Sequence, residues 1–248
     1  MLVTPDLKDY IENGYKTFLP QISIECVIFT YEDRQLKVLI FDWQELGWGL
    51  PSGHIKLEEP ITEAASRILK DRTSLDNIFL KQFYTFGDGP FRTKYIQNDY
   101  IPENSWLAKR ALTIGYYALI DYSKVQTISG VLSPTHKWTD IHEIPKNMGM
   151  DHGEIIKTAL EEMRHSIFSE PIGYELLPEK FTLPEILTLY ETILDKKLDR
   201  RHFPNKLLSL GIIEKLDEKR SIGQHRSPYL YKFHLDNYQS ALNESIEI

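Results

Sequence analysis

The chain has 248 residues, 42% of them hydrophobic and 26% charged, with a formal net charge of −7. That composition provides for a packed core and excludes a disordered chain, and the length suits one large domain or two modest ones. The single cysteine, Cys26, excludes a disulfide framework; the N-terminus has no basic-then-apolar signal pattern, and no apolar run approaches the ~18 residues of a membrane helix, so a cytoplasmic protein without a membrane partner is expected.

Residues 3–17 carry apolar positions at Leu7, Tyr10, Ile11 and Tyr15, which predict a short helix. ISIECVIFTY (22–31) and LKVLIFDW (36–43) flank the polar turn Glu32–Asp33–Arg34 and read as a hairpin. Pro60 to Arg72 is a helix with Pro60 in its first turn and a Glu63–Arg67 pair on its face. FLKQFYTFGD (79–88) and ALTIGYYALID (111–121) are strands on either side of a long polar loop. Asp151 is placed to cap a helix through Ile155, Ile156, Ala159, Leu160 and Met163.

The segment SEPIGYELLP (169–178) holds two prolines and a glycine and marks a boundary, giving domains 1–170 and 171–248. After it, Thr182 to Glu185 is a capping box that opens a helix with apolar Ile186, Leu187, Leu189, Tyr190, Ile193 and Leu194. A polar turn, Asp195–Asp199, leads to a second helix through Phe203, Leu207 and Leu208 that stops at Gly211. A strand (212–216), a polar tip (217–227) and a return strand (229–233) follow. Helix, turn, helix, hairpin is the order of a winged helix-turn-helix. Pro204 is tolerated only in a first helical turn, so the second helix begins near Arg201 or its start is distorted.

Charge supports that reading. Residues 196–232 hold ten Lys+Arg against four Asp+Glu, in a chain that is acidic overall. A basic patch on such a motif is the footprint of a DNA-binding module. Arg200, Arg201, His202, Asn205 and Lys206 are the candidates for base or phosphate contacts, and Lys219, Arg220, His225 and Arg226 those for the wing.

Residues 53–75 read GHIKLEEPITEAASRILKDRTSL. This resembles the signature of the Nudix phosphohydrolases, with Gly53, Glu59, Arg67 and Leu69 in register. The family's three metal-binding glutamates would fall at Ile68, Asp71 and Arg72, and its last glycine at Ser74. A Mg²⁺ ion needs carboxylate oxygen, and Arg72 puts a cation where that ion should sit. The expectation is a domain that binds and does not hydrolyse, with no catalytic residues, no metal and no cofactor.

The degraded box with QFYTFGD and MDHGEII, followed by FTLPEILTLYETILDKKLDRRHFPNKLL and SPYLYKF, resembles the Nudix-related transcriptional regulators over nearly the whole chain. The resemblance implies an α+β protein, a Nudix-like α/β/α sandwich with a mixed sheet followed by a C-terminal winged helix-turn-helix. It implies a repressor that binds operator DNA as a homodimer and responds to a small molecule. Family effectors include ADP-ribose-type compounds and, in the arabinose-regulator subgroup, sugars such as L-arabinose, which is the effector expected here. The chain departs from the family at Pro204, where members often carry an arginine, and at Trp106 to Lys109, where they carry Asp-Pro-Arg-Gly. Ligand contacts are expected from Asp42, Trp43, Trp48, His54, Lys56 and Arg110, which border the family's cleft and offer aromatic faces and polar anchors. Glu25 joins them, because a carboxylate inside an apolar strand must face a cavity or a partner. Asp151 and His152 are read as a helix cap. The competing expectation is a Mg²⁺-dependent hydrolase of nucleoside diphosphate derivatives such as ADP-ribose, which would depend on Glu59.

Overall fold

The computed structural model describes residues 5–43, 47–76, 78–88, 101–120, 135–167, 172–221 and 227–234, with the backbone alone at 5–7 and 175. The chain divides into two compact units. One gathers Met1–Phe29, Lys37–Ala118 and Tyr122–Glu161, and the other Thr30–Leu36, Leu119–Asp121 and Glu162–Ile248. The second therefore takes in a hairpin tip and a strand end from well before the sequence boundary.

A seven-stranded sheet forms the body of the N-terminal part. Its centre is β1 (Phe18–Glu32) and β2 (Gln35–Asp42). Ile24 and Cys26 to Phe29 on β1, and Val38 to Phe41 on β2, are all buried. Neither strand alternates, because both faces of the sheet are covered. The expected hairpin turn is present, with Asp33 at φ 51° and Arg34 at φ 64°. Two successive left-handed residues match the right-handed twist of the strands they join.

Three further strands, β3 (Trp48–Gly49), β4 (Ser52–Lys56) and β7 (Thr135–Asp140), extend the sheet without having been predicted. β5 (Lys81–Phe86) and β6 (Leu112–Leu119) were expected and are shorter than read. The order is β3–β2–β1–β6–β5, with β4 on β1 and β7 on β2. β4 runs antiparallel to β1 and sets Ser52 opposite Glu25 and His54 opposite Ser23. β3 sets Trp48 opposite Asp42 on β2.

Helix α1 (Pro5–Asn13) passes into a short 3₁₀ turn, Gly14–Lys16. α2 (Ile61–Thr73) begins one residue after Pro60, which is its N-cap, and buries Ala64, Ala65, Ile68 and Leu69 on one face. It ends at Ser74, φ 60°, a left-handed cap whose N–H donates to the Lys70 carbonyl at 2.8 Å. A glycine relieves the Cβ strain of that conformation, which is why the Nudix signature has one here. The Glu63–Arg67 pair is not what forms. Arg67 turns to Glu59, at 2.7 and 2.8 Å, because Glu59 offers a sheltered bidentate partner and Glu63 only an exposed one. α3 (His152–Ser166) starts where expected, and the Asp151 carbonyl at its N-cap position accepts the Ile155 N–H at 3.0 Å.

The C-terminal part holds α4 (Ile172–Leu176), α5 (Leu183–Leu194), α6 (His202–Ser209), β8 (Ile213–Lys219) and β9 (Tyr229–Phe233). α4 falls in the segment read as a boundary. Gly173 is there for close packing, since a Cβ would lie 2.6 Å from Phe233 Cζ. The capping box is formed: Glu185 Oε2 accepts the Thr182 N–H at 2.7 Å and its hydroxyl at 2.9 Å. The core pairs Tyr190 with Phe203 at 5.0 Å and Phe181 with Phe233 at 4.8 Å between ring centroids. Pro204 is the third residue of α6, inside the first turn, where its missing N–H removes no helical bond. Asp199 Oδ1 satisfies the Arg201 and His202 amides just before it, at 2.8 and 2.6 Å. These elements form a winged helix.

Candidate functional site

In the Nudix-like part, one constellation gathers around Glu25. Its side chain is 2% exposed, and Oε2 lies 3.5 Å from Nε2 of His152, itself 1% exposed. The Leu50 N–H donates to His152 Nδ1 at 3.0 Å. Nδ1 is therefore the lone-pair nitrogen and the ring proton sits on Nε2, which is buried 3.5 Å from the carboxylate and makes no hydrogen bond among the described residues. Gly49 makes this arrangement possible. A Cβ there would collide with both His152 Nδ1 and Trp43 Cδ1, so only glycine lets both rings close on the strand.

Trp43 in turn carries Arg72, whose Cζ lies 5.2 Å from the indole centroid. The indole Nε1–H is buried and finds no hydrogen-bond partner among the described residues. Arg72 Nε and Nη2 both donate to the Ser52 carbonyl, each at 3.3 Å. Burial pushes the guanidinium below its ordinary pKa, and the opposing fields of Tyr10, Asp71 and Glu25 do not reverse it.

A neighbouring aromatic group is built on α1 and β4. Tyr10 Oη and His54 Nδ1 are 2.5 Å apart, His54 meets Trp106 edge-on at 4.7 Å, and Trp106 Nε1 donates to the Tyr10 carbonyl at 3.2 Å. Gly14 leaves room for the Trp106 ring, which a Cβ would approach to 2.5 Å.

The structure thus brings Glu25 and Trp43 together around His152 and Gly49, while His54, on β4 opposite Ser23, belongs to the aromatic group with Tyr10. Asp42 and Trp48 face each other across β2 and β3, and Lys137 Nζ lies 4.3 Å above the Trp48 ring. Lys56 is exposed at the end of β4, and Arg110 is exposed before β6, donating to the Gly87 carbonyl at 3.3 Å. His152, read as a cap, is the buried partner of Glu25; the run MDHGEII was the signal. Arg72, Tyr10 and Trp106 lie among these side chains without being among the expected ligand contacts.

The Nudix box keeps its scaffold. Arg67 clamps Glu59 and also donates to the His54 carbonyl at 2.9 Å, which ties the loop before α2 to β4. The hydrogen bonds from Arg67, first among the causes, hold the Glu59 carboxyl below its ordinary pKa. At the three positions where the Nudix resemblance puts metal ligands, the residues present do not fit a divalent cation. Ile68 is 2% exposed and packs where a Cβ on Gly53 would lie 2.9 Å from its Cγ1. Asp71 is 61% exposed and pairs with Arg67 at 3.6 Å. Arg72 is itself a cation.

In the winged helix, Arg200, Arg201, His202 and Asn205 are exposed at and beside the start of α6, and Lys206 is half-buried. The Phe203, Pro204 and Leu207 side chains bury the opposite face. Lys219 is exposed, with Nζ 4.6 Å from the Tyr229 ring. Arg220 is held internally. It pairs with Glu185 and donates to the Lys180 carbonyl at 2.9 Å, which locks the wing strand to the capping box of α5. His225 and Arg226 lie outside the described residues.

Comparison with known proteins agrees with this division. Residues 173–233 match the family described as the NrtR DNA-binding winged helix domain. The chain is 25% identical over 240 residues to an ADPR responsive transcriptional repressor, NtrR, of Acinetobacter baylyi, covering 94% of this chain and 88% of that one. The structure resembles that of Shewanella oneidensis NrtR complexed with a 27mer DNA, with a TM-score of 0.66, 26% identity, and 88% and 96% of the two chains covered. A MutT/nudix family protein from Enterococcus faecalis shares the fold, with a TM-score of 0.61 at 18% identity over 94% of this chain and 100% of that one. The fold is a Nudix-type domain followed by a C-terminal winged helix. Among the described residues no helix is long and apolar enough to cross a membrane.

Proposed function

We propose that this protein is a transcriptional repressor that binds operator DNA through its winged helix and is controlled by an ADP-ribose-type effector in its Nudix-like domain. The observation that carries the reading is the basic face of α6, exposed within a segment that matches a DNA-binding winged helix. Arg200, Arg201, His202, Asn205 and Lys206 are the residues for the major groove, and Lys219 supports the wing; Arg220 is reassigned to structure. The protein acts as a homodimer. Its two recognition helices then stand about one DNA turn apart (~34 Å), so the operator is near-palindromic.

The effector reading follows the Acinetobacter baylyi repressor, which is described as ADPR responsive. A pentose, implied by the arabinose-regulator resemblance, has no support in these comparisons. ADP-ribose also suits the cleft: aromatic rings for a base, a carboxylate and imidazole for hydroxyls, and a cation for phosphate. Glu25, Trp43 and His54 remain the proposed contacts, now with His152 and Arg72.

The cleft binds without hydrolysis. Ile68, Asp71 and Arg72 are what support that, since phosphoryl chemistry of this kind depends on a metal clamp. Effector binding changes operator affinity only through unequal affinity for the DNA-competent and incompetent states.

The test is selection of a binding sequence by the full-length protein from random duplexes, followed by anisotropy titration with and without ADP-ribose. A near-palindromic site, weakened by ADP-ribose, is expected. Absence of any preferred sequence would refute the DNA assignment. Steady release of AMP from ADP-ribose and Mg²⁺, abolished in Glu59→Gln, would restore the hydrolase.

A further inference from the structure

We propose that Arg72 takes the place of the divalent cation, so that a guanidinium built into α2 holds the diphosphate of the effector and binding needs no metal ion. The inference rests on the effector reading above and names the group in that site responsible for phosphate.

Arg72 stands at one of the three positions where the Nudix signature puts a metal-binding glutamate. The residues at the other two no longer serve a metal, since Ile68 is packed against Gly53 and Asp71 is exposed and turned to Arg67. A charge of the cation's own sign has entered where the carboxylate that held it would stand.

Arg72 also has hydrogen-bonding capacity left over. A guanidinium has five N–H donors in a planar fork. Here two of its nitrogens share one carbonyl oxygen, Ser52 O, at the long distance of 3.3 Å. No carboxylate lies within ion-pair distance of Arg72 among the described residues, and its nearest sequence neighbour of opposite charge, Asp71, is engaged with Arg67. A half-buried guanidinium with no ion-pair partner has its desolvation only partly offset by the Ser52 carbonyl and the Trp43 ring. Phosphate oxygens match the fork bidentately and would supply the missing anion.

The group is, moreover, rigidly held. The guanidinium lies on the Trp43 ring, and Trp43 is wedged with His152 against Gly49. A fork held this way loses little freedom when an anion arrives. Glu25 and His152 place the opposite polarity in the same surroundings. That pairing suits a ligand carrying both a diphosphate and ribose hydroxyls: the cation for one, the carboxylate for the other.

The test is calorimetric titration of the full-length protein with ADP-ribose in EDTA and in Mg²⁺, with adenosine as the phosphate-free probe. Equal ADP-ribose affinity in both buffers is expected. Arg72→Gln should weaken ADP-ribose about 10- to 100-fold, the loss of one charge-assisted bidentate contact, and weaken adenosine far less. Arg72→Lys, which keeps the charge without the fork, should fall between the two. Binding that EDTA abolishes, or full ADP-ribose affinity in Arg72→Gln, would overturn this inference and leave the effector reading standing. No ADP-ribose binding in either buffer would overturn both.

Discussion

Replacing Glu59 by Gln tests whether the Nudix loop survives here as architecture. The Glu59 side chain is 12% exposed and its partner Arg67 24%. Glu59 accepts from Arg67 Nε at 2.7 Å, from Arg67 Nη2 at 2.8 Å and from the Lys56 N–H at 3.1 Å. Glutamine keeps one acceptor and turns the other oxygen into a donor that faces a donor, whichever way the amide lies. Breaking a buried ion pair from one side costs about 3–5 kcal/mol, and the partial exposure of Arg67 brings the expectation to about 2–4 kcal/mol. For a chain of this size that lowers the melting temperature by roughly 5–15 °C. The pH dependence fixes the cause. The folded-state pKa of Glu59 is depressed below its ordinary value of 4.5, so its contribution is present above that value and is lost as pH falls through the depressed one. The gap between wild type and Glu59→Gln, followed by thermal unfolding, should therefore be widest near neutral pH and close in acid. A gap that stays constant into acid would refute the charge argument. Operator binding below the melting point should be unaffected.

Arg201→Ala should weaken operator binding, reduce the slope of log affinity against log salt by about 1, and leave the melting temperature unchanged, as expected of an exposed phosphate or base contact. An unaltered operator affinity would remove α6 as the recognition helix. Arg220→Ala should do the reverse, lowering the melting temperature by loss of the Glu185 and Lys180 contacts while the salt slope is kept. A reduced slope would return Arg220 to the DNA face. Ser74→Gly should raise stability by about 0.5–1 kcal/mol, a few degrees at most, by relieving the left-handed cap at φ 60°. A drop in the denaturant midpoint would show that the serine side chain is needed there.

The elements that could be read from the sequence were those whose burial is periodic or continuous. The apolar run of β1, the Asp33–Arg34 turn, the capping box of α5 and the Phe203, Leu207 face of α6 each state their own structure locally. β7, with the sequence THKWTD, buries a single residue of six and draws its identity from pairing with β2, which no local pattern records. β4 is similar, since its glycine and histidine are set by α2 and Trp106 packing on them. α4 was hidden by the glycine at 173, which looks like a chain breaker and is a contact surface for Phe233.

The site was readable in its chemistry and not in its pairings. Glu25 announced itself because an apolar strand does not carry a carboxylate without a partner, yet the partner, His152, is 127 positions away at the start of α3. Arg72 stands where the resemblance puts a metal-binding carboxylate, and the same residue, stacked on Trp43 with donors to spare, is the cation proposed above for the effector's diphosphate. Sequence comparison with a hydrolase signature registers only the loss, because the signature scores carboxylates. Gly49 lets Trp43 and His152 close on β3, and Gly53 lets Ile68 of α2 close on β4. If Gly49→Ala is made, its Cβ must displace either the indole or the imidazole. Over-packing of that kind costs about 1–3 kcal/mol, and the effector affinity should fall with it while operator binding persists. Retention of full ADP-ribose affinity in Gly49→Ala would separate the two rings from the ligand site.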